Sequence, residues 1–388
     1  MVTIKTVYYE KSYIIRSFSP DIALRTGKCT GTISFENTSY RTNLDGGLFH
    51  SDNKNFVDGV AIPDARIGVK ATYGKYKAKM DIGYAYGKVS LKDIFVERQF
   101  SSHALLRVGN FVHQFGLQSS TSSSMKVTME EPASNEAFFN SRLMGAMFVY
   151  DKNDFFGTAS VHVESEALKK KSNELGKMGY GAMSRLVYRP LHDTGRLFQL
   201  GISGAYETPR YNSEPTLNHT SFDLGANFPT RIAKVRAVNA LIPDAKNLIK
   251  FTPEMIAGYG PVALEAQYYY LQVNREKDFK NYKASGMYGI LRGLLIGGNY
   301  RYSHTDCGIA TPDSGSLECV FGYNYTDMSD TRSHIYGGRL NDVSFTVNYY
   351  INKYMIWRFR YSYTKITDRV GFENQSLSAF QTRFQVIF

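Results

Sequence analysis

The sequence predicts an all-β fold, a transmembrane antiparallel β-barrel of about sixteen strands in residues 31–388. Three observations predict it: apolar and polar residues alternate, the alternating segments are roughly 9–12 residues long, and tight connections alternate with long ones. Successive side chains of a strand point to opposite faces, so this alternation gives one apolar and one polar face. Strands of about 9–11 residues cross a bilayer at a tilt, whereas those of soluble proteins average about 5–6. Transmembrane helices are excluded, because no apolar run reaches about 18 residues.

The predicted hairpin at residues 65–86 illustrates the pattern. Apolar residues occupy alternate positions of both strands, and Gly74 and Lys75 form the turn. The intervening positions hold four cations and a carboxylate, namely Arg66, Lys70, Lys77, Lys79 and Asp81. A Lys or Arg on the lipid side costs about 2–4 kcal/mol near the membrane centre. We therefore expect these side chains to line the inside of the barrel.

The hairpin at residues 343–365 and the last strand repeat this arrangement. Aromatic residues of one face alternate with Arg358 and Arg360, and Arg383 follows the same rule in the last strand. Among the carboxylates, the rule places Asp81, Glu164 and Glu265 inside. Because the first strand of a barrel closes on the last, the cations are expected to form a basic stripe along one side of the wall. The alternative is that these charges only solvate a wide channel and pair with acidic loop residues.

The connections and the final strand fit an outer-membrane barrel. Such barrels have short turns at one rim and long loops at the other, and residues 305–337 form the longest predicted loop, expected on the extracellular side. In the last strand, Phe384, Val386 and Phe388 share one face. A strand of this kind that ends in an aromatic residue resembles the signal read by the outer-membrane assembly machinery.

The net charge of +11 admits more than one partner. Anionic lipopolysaccharide attracts surface Lys and Arg, and anionic solutes are attracted by cations inside a channel. Nucleic acid is not expected, because the basic residues alternate with apolar faces and form no patch.

The three cysteines do not have the spacing of a zinc site. Cys307 and Cys319 fall in the predicted loop 305–337, where an oxidising exterior favours a disulfide between them over a free pair. Cys29 remains unpaired, in an N-terminal segment, residues 1–30, that the pattern does not place. No nucleophile or carboxylate stands at motif spacing from a histidine, so we expect no enzyme, no cofactor and no metal site.

One part of the chain resembles the phosphate-selective porin O/P family. The matching pattern is an R-x-G strand, a Q-F-G-L turn, a serine-rich stretch and an R-x-x-G strand start, here Arg107, Gly109, Gln114 to Leu117, Ser122 to Ser124, Arg142 and Gly145. Residues 260–270 and 295–302 resemble two later family segments, and the resemblance extends over residues 44–388. It implies a sixteen-stranded, usually trimeric porin whose inward-folded loop narrows the pore and whose basic side chains select anions.

The candidate constriction loop is residues 118–141. It departs from the family pattern, since phosphate-selective members carry several lysines there and this loop has only Lys126 beside three glutamates. The sequence therefore predicts a homotrimeric outer-membrane channel for passive diffusion of small polar or anionic solutes, in contact with lipid and lipopolysaccharide. The alternative is a barrel with a blocked lumen that anchors or joins other outer-membrane proteins.

Overall fold

The computed structural model describes residues 21–26, 29–53, 55–121, 125–139, 142–164, 178–211, 220–276 and 278–388, with side chains from Ser39 onward except at 164, 210 and 211. Most of the N-terminal segment 1–30, which the sequence does not place, lies outside these residues, and so does the side chain of Cys29.

These residues form twenty-two strands and two short helices. The strands are β1 (Asp21–Thr26), β2 (Cys29–Ser51), β3 (Gly59–Tyr73), β4 (Tyr76–Ala85), β5 (Lys88–Ser101), β6 (Ala104–Phe111), β7 (Leu143–Lys152), β8 (Phe155–Glu164), β9 (Tyr180–Asp193), β10 (Arg196–Glu207), β11 (Arg210–Tyr211), β12 (Thr220–Asn227), β13 (Arg236–Pro243), β14 (Ala245–Tyr259), β15 (Val262–Arg275), β16 (Tyr282–Ile296), β17 (Tyr302–Ser303), β18 (Gly308–Ile309), β19 (Leu317–Asp330), β20 (Ile335–Asn352), β21 (Met355–Arg369) and β22 (Gln375–Ile387). The helices are α1 (Leu117–Ser120) and α2 (Ala133–Phe138). Neither helix is long and apolar enough to span a bilayer.

Sixteen of the strands close into an antiparallel barrel, which confirms the predicted fold class. Each pairs with its sequence neighbour in the wall, from β2 through β10, then β14 to β16 and β19 to β22. The barrel closes where β22 pairs with β2, from Arg41↔Ile387 to Ser51↔Leu377. The hairpin of β1 with the start of β2 adds to the edge of this sheet.

The two faces of the wall differ as the alternation predicts. On β21, Trp357, Tyr361 and Tyr363 are exposed on the outer face, whereas the intervening Arg358 and Arg360 are buried inside. In β22, Phe384 and Val386 lie on the outer side with the exposed Phe380. The role of this strand in assembly stays a prediction.

One rim of the barrel carries almost only tight turns. In the described chain, six of its seven connections are two-residue turns, and the seventh is residues 297–316, between β16 and β19. We call this rim the short-turn rim and residues 297–316 the short-rim loop. The prediction of one long loop over residues 305–337 is wrong, because residues 317–330 form β19 and only 331–334 turn at the opposite rim. The sequence reading missed β19 because its inward positions include Val320 and Gly322, which blur the alternation.

Three segments fold into the barrel in the part of the chain that the structure describes. The first joins β6 to β7 and carries α1 and α2; we call its described residues, 112–121, 125–139 and 142, the constriction loop. The second, the lumenal insert, comprises residues 208–211 and 220–244, and its strands β11, β12 and β13 form a small separate sheet. The third is the short-rim loop, which carries β17 and β18. Apolar residues of the first two segments join inward wall residues in one buried cluster, so part of the lumen is packed like a protein core.

Candidate functional site

The constriction loop turns inward at Gly116, which has a positive φ of 80°. A Cβ atom at this position would lie 1.7 Å from Nε2 of Gln267 on the opposite wall, and the positive φ itself favours glycine over other residues. The Gly116 amide donates a hydrogen bond to Oγ of Ser203 on β10, at 2.9 Å. The preceding Phe115 is fully buried. The Q-F-G-L segment therefore docks the loop across the lumen.

Local backbone geometry also explains the glycine of the R-x-G strand. Gly109 adopts a φ of 142°, and a Cβ there would lie 2.2 Å from the carbonyl oxygen of Ile94. The arginine of the pattern, Arg107, points inward and binds Glu97 with its Nε at 2.7 Å. The pattern thus combines a close approach of β5 and β6 with a lumenal ion pair.

Arginines of the last two strands bind loop carbonyl groups. Arg358 donates to the carbonyl oxygen of Lys126, and Arg383 to that of Met129 at 2.5 Å. Arg360 donates to the carbonyl oxygen of Pro229 in the lumenal insert at 3.0 Å. Each guanidinium thereby satisfies a backbone acceptor that leaves water when the loop folds inward.

The same side chains form buried ion pairs. Arg383 binds Asp45 in bidentate fashion at 2.7 and 2.6 Å and also Glu130 of the constriction loop at 2.7 Å. Arg360 binds Asp342 at 3.0 Å. Arg358 and Arg383 are each 1% exposed. The prediction that Arg358, Arg360 and Arg383 line a water-filled pore is therefore wrong, because loops that the alternation pattern could not place cover them.

Lys126 also differs from its prediction as a pore-lining cation. It is 4% exposed, and its ammonium donates to the carbonyl oxygen and, at 2.9 Å, to Oε1 of Gln118. Burial lowers the pKa of Lys126, because the charged form loses its hydration, while Glu131 and Glu265 partly offset this. Lys126 thus holds two parts of the constriction loop together.

The three carboxylates predicted to line the lumen differ in their surroundings. Asp81 is buried and binds Lys79 at 2.7 Å. Glu265 is buried and accepts a hydrogen bond from Gln118 at 3.0 Å. Glu164 ends β8, and its side chain lies outside the described residues.

The inner face of β3 to β6, which we call the basic wall, carries cations that stay open to solvent. Lys70 and Lys77 are exposed, and Arg66 and Lys79 keep part of their surface open to solvent, with 16% and 23% of the side chain exposed. Arg107 is exposed to a similar degree. The strand register places these residues side by side, with Lys70 opposite Lys79 and Glu97 opposite both Lys77 and Arg107.

Further cations that the sequence reading missed lie beside this wall. Arg142, at the end of the constriction loop, binds Asp93 at 2.7 Å. Lys92 lies near Arg66, Arg142 and Lys234, and the like charges repel one another. Lys92 was missed because a β-bulge shifts the alternation of β5 between Leu91 and Ile94. Lys234 belongs to the lumenal insert, where no alternating pattern predicts which side chains point inward.

The lumenal insert reaches the basic wall at the rim opposite the short turns. Tyr86 donates a hydrogen bond to the carbonyl oxygen of Arg231, and the Lys234 ammonium lies 4.3 Å from the centre of the Tyr86 ring. At the neighbouring connection between β2 and β3, Phe228 packs edge-on against Phe56 at 5.0 Å. The insert leaves the wall after β10 and rejoins it at β14. The insert therefore spans the mouth of the barrel and brings two cations to it, Arg231 and Lys234.

The predicted disulfide is absent, because Cys307 and Cys319 are both free thiols. Cys307 is buried inside the barrel in the short-rim loop, with its sulfur 3.2 Å from the Tyr302 hydroxyl. Cys319 belongs to β19, on the same side as the exposed Phe321 and opposite to the buried Glu318. The wall separates the two sulfur atoms, so the prediction is wrong.

A comparison with protein families decides the identity of this barrel. A family model for phosphate-selective porin O and P matches residues 38–388. The chain belongs to the phosphate-selective porin O and P family. This confirms the resemblance seen in the sequence and places this porin-family barrel in the bacterial outer membrane, with the short-turn rim on the periplasmic side.

Solved structures agree on the fold. The family member is similar to OmpT, an outer membrane protein of Vibrio cholerae, with a TM-score of 0.56 for a loop L8 deletion mutant, 11% identity, and 92% of this chain and 99% of that chain covered. The trimer form of OmpT gives a TM-score of 0.54 with the same identity and coverage. An anion-selective porin from Comamonas acidovorans gives 0.54 at 10% identity, covering 92% of this chain and 100% of that chain. Among curated proteins, none matches the sequence. At these identities the likeness shows the fold alone.

Proposed function

We propose that this outer-membrane porin conducts small polar solutes by passive diffusion along the basic wall, with a modest preference for anions. The observation that carries the proposal is that inward cations of β3 to β6 keep solvent access, whereas the inward arginines of β21 and β22 are buried. A solute that crosses the barrel would therefore move beside Lys70, Lys77 and Lys79.

The charge balance of this wall supports the anion preference. Its inward positions on β3 to β6, together with Arg142, include seven cations and four carboxylates, namely Arg66, Lys70, Lys77, Lys79, Lys92, Arg107 and Arg142 against Asp64, Asp81, Asp93 and Glu97. Positive charge beside a low-dielectric wall raises the local concentration of anions. Ion pairs neutralise part of this charge, so the preference is expected to be modest.

A strict phosphate preference has less support. The single lysine of the constriction loop, Lys126, is buried in contacts with its own loop. A site that strips a phosphate of water needs several converging donors. We therefore favour general anion selection over a dedicated phosphate site.

Reversal potential across a salt gradient tests the proposal. In planar bilayers, the wild type is expected to favour chloride over potassium. Lys70→Glu combined with Lys77→Glu should shift the reversal potential towards cation preference, because both side chains are exposed beside the passage. The matched control is Lys353→Glu at a periplasmic turn, with its side chain directed to the Tyr354 ring. An unchanged potential in the double variant would refute the proposed path.

A second candidate, a partner or anchor with a closed lumen, is favoured by the three inward segments. They bury the inner faces of β14 to β22 and span the mouth of the barrel. Purified, correctly folded protein that gives no current steps would support this candidate against the porin.

We also propose a homotrimer in contact with lipopolysaccharide. A solved structure of similar fold is a trimer form, and the chain carries a net charge of +11. Light scattering of the detergent-solubilised protein tests the trimer, and native mass spectrometry tests retained lipopolysaccharide.

A further inference from the structure

We propose that the basic wall carries a binding site for planar aromatic carboxylates, in which the aromatic ring of the solute stacks on the guanidinium of Arg107. Phe95 supports this guanidinium from its other face, and Lys77 provides the charge that binds the carboxylate. The inference deepens the proposed function, because it names a class of solute for the basic wall, and it rests on that function.

The guanidinium of Arg107 is held in one orientation by an ion pair. Its Nε donates to Oε1 of Glu97 at 2.7 Å, and its Nη2 donates to the same oxygen. The two residues are register partners on β6 and β5, so the barrel wall fixes both backbones. Because the guanidinium is planar and rigid, two converging hydrogen bonds leave it little freedom to turn. Arg107 therefore presents a fixed flat group to the lumen.

Two aromatic rings lie on neighbouring sides of this group and leave another side uncovered. Cζ of Arg107 lies 4.3 Å from the centre of the Phe95 ring and 5.3 Å from the centre of the Phe111 ring. Rings on opposite faces would be about 9.6 Å apart, the sum of these two distances, but the ring centres are separated by only 5.8 Å. The two rings therefore do not sandwich the guanidinium. Its face directed away from Phe95 accounts for the 27% of the Arg107 side chain that stays exposed.

Gly109 allows the supporting ring to take its place. It follows Arg107 at the next inward position of β6 and is the register partner of Phe95. A Cβ atom at Gly109 would lie 2.9 Å from Cβ of Phe95, so a larger residue would push Phe95 away. The R-x-G pattern thus supplies both the guanidinium and the space for the ring that supports it.

Lys77 adds a cation beside the exposed face. It is the register partner of Glu97 on β4, two strands from Arg107 and thus about 10 Å away along the wall. Its side chain is exposed and, within the described residues, forms no ion pair. Glu97 lies between the two cations, but its charge is offset by Arg107. A solute whose ring lies on Arg107 can therefore direct its carboxylate to the Lys77 ammonium.

The two groups together favour aromatic over aliphatic carboxylates. A guanidinium is weakly hydrated compared with an ammonium and stacks on aromatic faces, so a flat ring displaces little bound water from it. The exposed Lys77 attracts any anion, but only a solute with a planar ring also gains the contact with Arg107. Acetate and chloride are therefore expected to bind less tightly than benzoate.

Block of the chloride current tests this order of affinities. In planar bilayers bathed in potassium chloride at neutral pH, benzoate should halve the current at a concentration about three times lower than acetate, the effect of one exposed contact between a cation and an aromatic ring. Cyclohexanecarboxylate has the same charge and a similar size but no planar ring, and it should block like acetate. Equal half-blocking concentrations of benzoate and cyclohexanecarboxylate would overturn the proposal.

Substitution of Arg107 locates the site. Arg107→Lys keeps the charge but removes the planar group, so the ratio of the acetate to the benzoate half-blocking concentration should fall towards one. Arg98→Lys on β5 is the matched control, because Arg98 also lies over aromatic rings but shares the outer face with the exposed Val96 and Phe100. The control should keep the wild-type ratio. A wild-type ratio in Arg107→Lys would also overturn the proposal.

A binding measurement without current separates this inference from the proposed function. Saturation-transfer NMR detects benzoate on the protein in detergent micelles, and heat-modifiable migration in gel electrophoresis verifies that each variant has folded. Binding that is lost in Arg107→Lys would support the site even in a barrel that gives no current steps, which would refute the proposed function alone. Anion-selective current with equal block by benzoate and acetate would retain the proposed function and overturn the site.

Discussion

Two neighbouring regions of the barrel interior both carry inward Lys or Arg side chains, but in one region these are exposed and in the other they are buried. On the basic wall, Lys70 and Lys77 point inward and stay exposed. On the adjoining strands β20 to β22 and β2, which we call the paired wall, Arg360 and Arg383 also point inward but are buried in ion pairs and loop contacts. The strand pattern orients both sets identically. Their roles differ because the constriction loop and the lumenal insert bury the cations of the paired wall and only border those of the basic wall.

The comparison teaches that inward orientation and access to solvent are separate properties. Alternation fixes the first, since the lipid face excludes charge at a cost of about 2–4 kcal/mol. Contacts between segments far apart in sequence decide the second, as in the pairing of Arg383 with Glu130. Variants that affect one wall and spare the other test this distinction.

The largest effect is expected from Arg383→Leu on the paired wall. It leaves Asp45 and Glu130 buried without their guanidinium partner, and removing one member of a buried pair costs about 3–5 kcal/mol. Urea unfolding in detergent micelles measures this loss. Lys70→Leu on the basic wall is the control and should change the free energy of unfolding little, since its side chain is exposed. Equal losses in both variants would erase the difference between the walls.

The docking of the constriction loop gives the next largest effect. Gly116→Ala forces a side chain into a left-handed conformation and against Gln267, at a cost of about 1–3 kcal/mol. We expect lower stability and altered conductance, because the loop must move. Gly204→Ala on β10 is the control, since a Cβ there meets no atom within 4 Å. A neutral Gly116→Ala would mean that the turn does not hold the loop.

A smaller effect concerns acid stability. His113 follows β6, stacks on Phe111 at 4.3 Å and lies near His162, and burial lowers the pKa of His113 to about 4. The unfolded chain binds this proton near pH 6.5, so stability should fall as the pH falls from about 6.5 to 4. His113→Phe should flatten this fall in urea titrations, whereas His103→Gln at the exposed rim should not. The same slope in wild type and His113→Phe would exclude His113 as its source.

The smallest effect is expected at the exposed pair of Arg301 and Asp313 in the short-rim loop. Exposed ion pairs contribute little because water and salt screen them. Asp313→Ala should leave the thermal midpoint unchanged within error, as measured by circular dichroism. A clear loss would show that the edge of the loop is less open to solvent than its exposure indicates.

The sequence predicted the wall of the barrel far better than its filling. Alternation identified most strands and the inward side of Arg66 and Arg358, and the family resemblance identified the motif around Gly116. It failed at β19, which lies within the predicted loop 305–337. It also failed for the Cys307–Cys319 pair, because two cysteines close in sequence lie on opposite sides of the wall.

The wall was easier to predict than the filling because its pattern is local in sequence, whereas the filling depends on contacts between distant residues. The two faces of a strand can be recognised within about ten residues of sequence, because the face in contact with lipid must be apolar. The contact of Pro229 with Arg360 and Gln381, or of Gln118 with Glu265, depends on loops that cross the lumen without any periodic pattern. Such contacts have no local signal, so burial inside the barrel could not be predicted.

Thiol modification during current recording tests the central claim most directly. In a chain whose three cysteines are replaced by serine, Lys77→Cys represents the basic wall and Gln381→Cys the paired wall, where Gln381 is fully buried. A negatively charged methanethiosulfonate reagent should lower the chloride current of the Lys77→Cys channel and leave that of Gln381→Cys unchanged. Equal modification at both sites, or none at Lys77→Cys, would contradict the account.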